Sequence, residues 1–234
     1  MNIKTLSKVR KFCISTHSSI IITSEVIFGL IFCILSLVVF VWFSREILEK
    51  DTVFIDQSIS LLVYSWRTPF LTQLMILITA FGNQILLILA ASVTIIFAIK
   101  KHRKEAVLFC LAIAMGAVLN STFKLMAQRP RPTLSPLIVE KSYSFPSGHA
   151  MNSFIFYALL AYFSYHFFRN KAMSIFVSIA CGILIFLIGF SRIYLGVHYF
   201  TDVIAGYIAG FWWFITILLV EHTLLFYRLF KKSE

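Results

Sequence analysis

Three polar stretches of this chain carry the residue types that could do chemistry. They run from Lys124 to Pro132, from Pro146 to His149 and from Ser191 to Asp202. Together they contain a lysine, arginines, two histidines, two serines and an aspartate, a set suited to binding phosphate and transferring it. Because each stretch lies at the end of an apolar segment, only a fold that brings separate helix ends together can combine them into one site.

The middle stretch predicts a helix start that binds an anion. Pro146 and Ser147 precede a long apolar segment, so Ser147 is expected to cap a helix, and Gly148 leaves its backbone N–H open to a ligand. A helix N-terminus offers unpaired N–H groups and partial positive charge. His149 follows in the first turn, where it is placed to donate a proton to a group on the anion.

The third stretch pairs a histidine with a carboxylate. His198 and Asp202 are four positions apart, which on a helix places both side chains on one face within contact range. A carboxylate bonded to one imidazole nitrogen leaves the other nitrogen free as a base or a nucleophile, and we favour the nucleophile for His198. Arg192 is expected to clamp the phosphoryl oxygens.

The first stretch completes a cationic cage. Lys124 and Arg131 add positive charge, and the planar guanidinium of an arginine suits two phosphate oxygens at once. A magnesium site is not indicated, because Asp202 is committed to His198 and Glu140 is interpreted as isolated in its loop. The residues therefore predict metal-independent phosphoryl transfer, without a cofactor.

The composition indicates an integral membrane protein. Of 234 residues, 59% are hydrophobic and only 13% are charged, whereas about a quarter of a soluble domain is charged. The net charge of +11 does not indicate nucleic acid binding, because the basic residues cluster beside apolar segments. The four cysteines show no metal-ligand spacing.

The apolar segments predict a single all-α membrane domain over residues 1–234. About 20 apolar residues are needed to cross a bilayer. Six spans are predicted, at 24–43, 84–99, 105–125, 149–168, 172–190 and 200–227. Residues 46–82 predict an interfacial, partly inserted amphipathic segment, which Gly82-Asn83 separates from the second span.

The distribution of lysine and arginine predicts the orientation. Thirteen of the 21 fall in segments that share one side of the membrane if the N-terminus is inside, so both termini are expected in the cytoplasm. The first two polar stretches lie between the third and fourth spans, and the last lies between the fifth and sixth. They must share a face, and the charge bias makes it the extracytoplasmic face.

Taken in order, these stretches resemble the complete signature of the phosphatidic acid phosphatase type 2 family. The signature elements are Lys-x6-Arg-Pro, Pro-Ser-Gly-His and Ser-Arg-x5-His-x3-Asp. The resemblance implies a core shared with the haloperoxidases, a phosphohistidine on His198 oriented by Asp202, and His149 as the acid that protonates the leaving group. It also implies that the phosphoryl oxygens are bound by Lys124, Arg131, Ser147, Gly148 and Arg192. Because the spacing from Lys124 selects Arg131, we interpret Arg129 as a loop or headgroup contact.

The expected function is that of a plasma-membrane lipid phosphate or diphosphate phosphatase. Undecaprenyl diphosphate and phosphatidylglycerophosphate are the favoured substrates, although phosphatidate and diacylglycerol diphosphate present the same group. Lipids are the expected partners, and nucleic acid is not. A phosphotransferase of the same family, with a lipid or sugar hydroxyl replacing water, is one alternative. A phospholipid transporter is another, although it would not need the histidine pair and its aspartate.

Overall fold

The structure, a computed structural model, describes residues 3–49 and 51–231, with side chains described over 24–49 and 51–223. These residues form eight helices and no strand, which confirms the all-α class. The helices are α1 Ile3–Leu48, α2 Val53–Ser65, α3 Pro69–Ala80, α4 Gln84–Ile99, α5 Arg103–Ala127, α6 Gly148–Phe167, α7 Lys171–Tyr194 and α8 Phe200–Lys231.

Local chemistry fixes the helix ends nearest the polar stretches. Thr68 caps α3 by accepting a hydrogen bond from the Leu71 amide at 3.2 Å. Ser147 caps α6 through the Ala150 amide at 3.4 Å, as predicted. The turn at residues 81–83 separates α3 from α4, so the chain breaks where Gly82-Asn83 indicated. At the end of α5, Gln128 adopts the left-handed conformation, with φ of 45°.

Helix α6 lies at the centre of the bundle. It packs against α5, α7 and α8, while α1 packs along α8 and α3 packs on α7. The core around α6 includes Phe109, Ile155, Phe156 and Leu159, none of which has exposed surface. This packing brings the C-terminal ends of α5 and α7 to the same end of the bundle as the N-terminal ends of α6 and α8.

The outside of the bundle is apolar. Large exposed hydrophobic side chains cover the outward faces of α1, α4, α5 and α7, as in a multi-pass membrane protein. Within the described part of the chain, five segments are long and apolar enough to cross a bilayer, namely Ser24–Leu48, Pro69–Ile99, Arg103–Ala127, Lys171–Tyr194 and Phe200–Thr223. Helix α6 is not among them, since polar residues such as Asn152 and Ser164 reduce its hydropathy. The six-span count therefore stays a prediction.

The loop between α5 and α6 is fastened across this end of the bundle. The Leu137 amide donates to the Leu195 carbonyl at 2.9 Å. The guanidinium of Arg67 donates to the carbonyls of Ser135, at 2.8 Å, and Tyr194, at 2.7 Å. Gly196 has φ of 74°, and a Cβ at that position would lie 2.9 Å from Arg67 Nη2. Only glycine therefore allows the turn before α8 to pass this close to the loop.

Candidate active site

The structure brings the predicted site residues together at one end of the bundle. They come from the last turn of α5, the α5–α6 loop, the start of α6, the last turn of α7, the α7–α8 turn and the start of α8. In chain order they are Lys124, Arg131, Ser147, Gly148, His149, Arg192, His198 and Asp202.

His198 has a defined orientation in this site. Its side chain is 2% exposed, and its Nε2 lies 3.1 Å from Arg131 Nη1. Because a guanidinium only donates, Nε2 must accept, so the ring proton is on Nδ1, which faces Asp202 Oδ2 at 3.5 Å. The lone pair of Nε2 is thus directed toward the cationic groups.

The His198–Asp202 pair does not lie on one helix face, as the spacing had suggested. Helix α8 begins at Phe200, so His198 lies in the preceding turn, and the contact forms because this turn folds back over the helix start. Burial is the largest influence on the His198 pKa. Together with the charges of Arg192 and Arg131 it outweighs the raising effect of Asp202 and lowers the pKa to about 3. His198 is consequently neutral near pH 7, so its Nε2 keeps a lone pair.

Asp202 is fully buried and is held through both of its oxygens. Oδ2 accepts hydrogen bonds from the Ser144 hydroxyl and from the Tyr199 amide, the latter at 2.9 Å. Oδ1 accepts from Arg129 Nη1 at 2.5 Å. The carboxylate is therefore fixed in position before any substrate binds. Ser144 was missed in the sequence, where its spacing from the other polar residues gives no signal.

The interpretation of Arg129 as a loop or headgroup contact was wrong. Its side chain is only 11% exposed, and Nη2 donates to Asp56 Oδ2 at 2.8 Å. The guanidinium forms ion pairs with Asp56 on α2 and with Asp202 on α8, and these two carboxylates stabilise its buried charge. Burial works to lower the pKa of Arg129, but Asp202 and Asp56 outweigh it, and the pKa is raised.

Arg192 is also buried, and its partner was not predicted. Nη1 donates to Thr79 Oγ1 at 2.7 Å and Nη2 donates to Glu140 Oε1 at 2.5 Å. Glu140 is therefore not isolated, because the α5–α6 loop folds over the end of α7. Nε of Arg192 is buried without a hydrogen-bond partner among the described residues, which leaves a donor for a phosphoryl oxygen.

Backbone carbonyls position the other two cations. Lys124 Nζ donates to the carbonyl of Tyr143. Arg131 donates to the carbonyls of Ser142 and Val197, and both of these Arg131 hydrogen bonds measure 2.6 Å. Carbonyl groups orient these side chains without neutralising them. Their charge therefore remains available to stabilise a phosphoryl group.

The start of α6 is held close to its neighbours. A Cβ on Gly148 would lie 2.8 Å from Asn120 Oδ1, so glycine allows the helix end to rest against α5. Asn120 Nδ2 also donates to the Pro146 carbonyl at 3.4 Å. His149 faces the turn between α3 and α4, since a Cβ on Gly82 would lie 3.2 Å from its Cδ2. It is within electrostatic reach of the cage cations and of His198.

Two adjoining cavities, each of about 300 Å³, lie beside the C-terminal end of α5. One is an apolar groove between α1 and α5, with Phe40, Phe123 and Phe145 in its wall. The other contains Arg129 and Tyr199. Leu48 and Ala127 line both cavities. None of the eight predicted site residues lines either cavity, but Phe123 in the groove directly precedes Lys124 in the chain. An apolar groove of this kind fits the tail of an amphiphilic ligand.

The fold and the site define a helical membrane protein with a buried cationic site around a histidine, and the comparisons with known proteins add the class. The model of the PAP2 superfamily matches residues 105–226. Phosphatidylglycerophosphatase B of Bacillus subtilis (strain 168) is 37% identical over 161 residues, which is 66% of this chain and 77% of the relative. The chain therefore belongs to the PAP2 superfamily, as its motifs indicated.

Further relatives support the same class. An undecaprenyl-diphosphatase of Sulfolobus acidocaldarius is 33% identical over 149 residues, covering 61% of this chain and 66% of that protein. The crystal structure of a transmembrane PAP2 type phosphatidylglycerolphosphate phosphatase from Bacillus subtilis superposes with a TM-score of 0.77 at 30% identity, over 82% of this chain and 96% of that one. The chain is a membrane lipid phosphatase of the hydrolase class.

Proposed function

We propose that this chain releases inorganic phosphate from a lipid phosphate or diphosphate through a phosphohistidine on His198. The observation that carries the proposal is the orientation of the imidazole. Its proton faces Asp202, while Nε2 is directed to Arg131 beside Lys124 and Arg192. A neutral nucleophile aimed into a cationic cage is what phosphoryl transfer needs.

In the first step, Nε2 of His198 attacks phosphorus and the bond from phosphorus to the lipid oxygen breaks. His149 donates its proton to that leaving oxygen, which departs as an alcohol or as a lipid phosphate. The negative charge of the substrate favours the protonated form of His149 before this step. Water then attacks phosphorus, gives a proton to His149 and breaks the P–N bond, so that inorganic phosphate leaves and both histidines return to their starting state.

The cage supplies the electrostatic stabilisation. Lys124, Arg131 and Arg192 would bind the phosphoryl oxygens together with the Ser147 hydroxyl and the Gly148 amide at the start of α6. Three cations held in place before the substrate arrives need no reorganisation during the reaction, which is the main electrostatic contribution to catalysis in such sites.

The lipid tail would lie in the groove between α1 and α5. Phe40, Phe123 and Phe145 give that groove an apolar wall, and it joins the cavity that contains Arg129. The tail can then stay in the bilayer while the head enters the cage. From the distribution of lysine and arginine we place both termini in the cytoplasm and the site at the outer face.

Phosphatidylglycerophosphate is our first candidate substrate and undecaprenyl diphosphate our second. The first is supported by the names of the Bacillus subtilis relative and of the similar crystal structure. The second is supported by the name of the Sulfolobus relative.

The test is phosphate release by purified, detergent-solubilised protein. The panel contains phosphatidylglycerophosphate, undecaprenyl diphosphate, phosphatidate and diacylglycerol diphosphate. His198→Ala should lower release at least about 100-fold, because the nucleophile is gone. His166→Ala is the matched control, since this exposed histidine lies at the far end of α6. Release by His198→Ala at the wild-type rate would refute the phosphohistidine mechanism.

A further inference from the structure

A buried network of charged side chains connects α2 to the Asp202 carboxylate, which lies beside His198. The Asp56 carboxylate accepts hydrogen bonds from the Thr201 amide at 3.0 Å and the Thr201 hydroxyl at 2.7 Å. The same carboxylate accepts from Arg129 Nη2 at 2.8 Å. Nη1 of that guanidinium donates to Asp202 Oδ1 at 2.5 Å. One arginine therefore bridges two carboxylates that belong to different helices.

All three charged groups of this buried network are shielded from solvent. The exposed fractions of the side chains are 1% for Asp56, 11% for Arg129 and 0% for Asp202. A buried charge that loses its partner is strongly destabilising, so each group depends on its neighbour. The ring of Tyr199 packs on the guanidinium, whose Cζ lies 4.3 Å from the ring centroid. The arginine is thus fixed by two ion pairs and an aromatic face.

We infer that Asp56 and Arg129 are positioning residues for the reaction proposed above. Arg129 holds Oδ1 of Asp202, which leaves Oδ2 facing His198 Nδ1. Asp56 holds Arg129, and it also holds the backbone of Thr201, the residue directly before Asp202. This inference rests on the proposed function, because it assigns the pair to the orientation of His198. Neither residue contacts the phosphoryl group in that mechanism.

The geometry favours a role in orientation over one in charge alone. A carboxylate held by one oxygen can rotate about its Cβ–Cγ bond. Asp202 is bonded from opposite sides, by Arg129 at Oδ1 and by Ser144 and the Tyr199 amide at Oδ2. Its plane is therefore fixed, and so is the direction in which it can accept a hydrogen bond from His198 Nδ1.

The first experiment separates turnover from binding in Asp56→Asn, Arg129→Gln and the double variant. Asp51→Asn and Arg103→Gln are matched controls, because both of those residues are exposed. We expect kcat to fall about 10- to 100-fold in each single variant. KM and the inhibition constant of inorganic phosphate should stay within about threefold of wild type, since the cage is intact. The double variant should lose no more than the worse single variant, because the two residues act as one unit.

Two further readouts separate positioning from general damage to the fold. Arg129→Lys keeps the charge, but one ammonium cannot bridge both carboxylates in the same plane, so it should not restore kcat. In protein labelled with ¹⁵N-histidine, the His198 signals of these variants should move toward a mixture of tautomers, and His198→Gln assigns them.

Three results would overturn the inference. They are wild-type kcat in Asp56→Asn or Arg129→Gln, losses that multiply in the double variant, and unchanged His198 ¹⁵N signals in Arg129→Lys. Should Asp56→Asn fail to fold, Arg129→Lys decides the question alone. The proposed function is judged separately. If His198→Ala is inactive while the pair variants equal wild type, only this inference fails.

Discussion

Replacing Gly206 by alanine should displace the start of α6, the helix end that we propose binds phosphate. Gly206 lies on α8 where it crosses the start of α6, and a Cβ there would lie 2.7 Å from the Ser147 carbonyl oxygen and 3.3 Å from the Met151 amide nitrogen. Both are backbone atoms, so no side chain can rotate away. The Ser147 amide also donates to the Asp202 carbonyl at 3.0 Å, which ties the two helix starts together.

The geometry sets the size of the effect. To restore an ordinary contact of 3.4 Å, the Ser147 carbonyl must move by about 0.7 Å. A displacement of about 1 Å at a catalytic site can cost about 100-fold in rate, so we expect kcat/KM to fall about 10- to 100-fold. Overpacking costs about 1–3 kcal/mol of stability, which the better helix propensity of alanine offsets by about 1 kcal/mol. Activity should therefore suffer more than folding.

The assay is lipid phosphate hydrolysis with a thermal unfolding curve on the same sample. Gly182→Ala is the matched control, because a Cβ at that helical glycine meets nothing within 4 Å. It should keep full activity and be as stable as wild type or slightly more stable. If Gly206→Ala hydrolyses substrate within twofold of Gly182→Ala, the argument that the α6–α8 approach positions the site is refuted.

Three further predictions concern the groups around His198. Ser144→Ala removes a buried hydrogen bond to the Asp202 carboxylate, which is worth about 1.5–3 kcal/mol. Its loss should lower kcat about 10- to 100-fold, and an effect on KM alone would contradict this prediction. The pKa of His198 is lowered to about 3, so this histidine should stay neutral between about pH 5 and pH 8 and gain a second ring proton only in stronger acid. His198 ¹⁵N signals that titrate near about pH 6.5 would contradict this prediction. Hydrolysis should be unchanged by a chelator, because Asp56, Glu140 and Asp202 each pair with an arginine; loss of activity that magnesium restores would count against it.

The sequence by itself predicted the principal candidate residues of the site and determined the class of the fold. Hydropathy is a local property, so the apolar segments predicted an all-α membrane protein, and helix-capping chemistry predicted the start of α6 at Ser147. The spacing of the three polar stretches was sufficient to identify the PAP2 family. Each of these signals is contained in a short run of residues, which is why one sequence reveals it.

Only the tertiary structure decided which groups surround those residues. Arg129 reaches Asp56 across 73 positions, Ser144 reaches Asp202 across 58, and Arg192 reaches Glu140 across 52. No spacing rule covers such separations, because these contacts depend on how α2, α7 and α8 pack and on the path of the α5–α6 loop. For the same reason Arg129 resembles a surface loop residue in the sequence, whereas the fold buries it between two carboxylates.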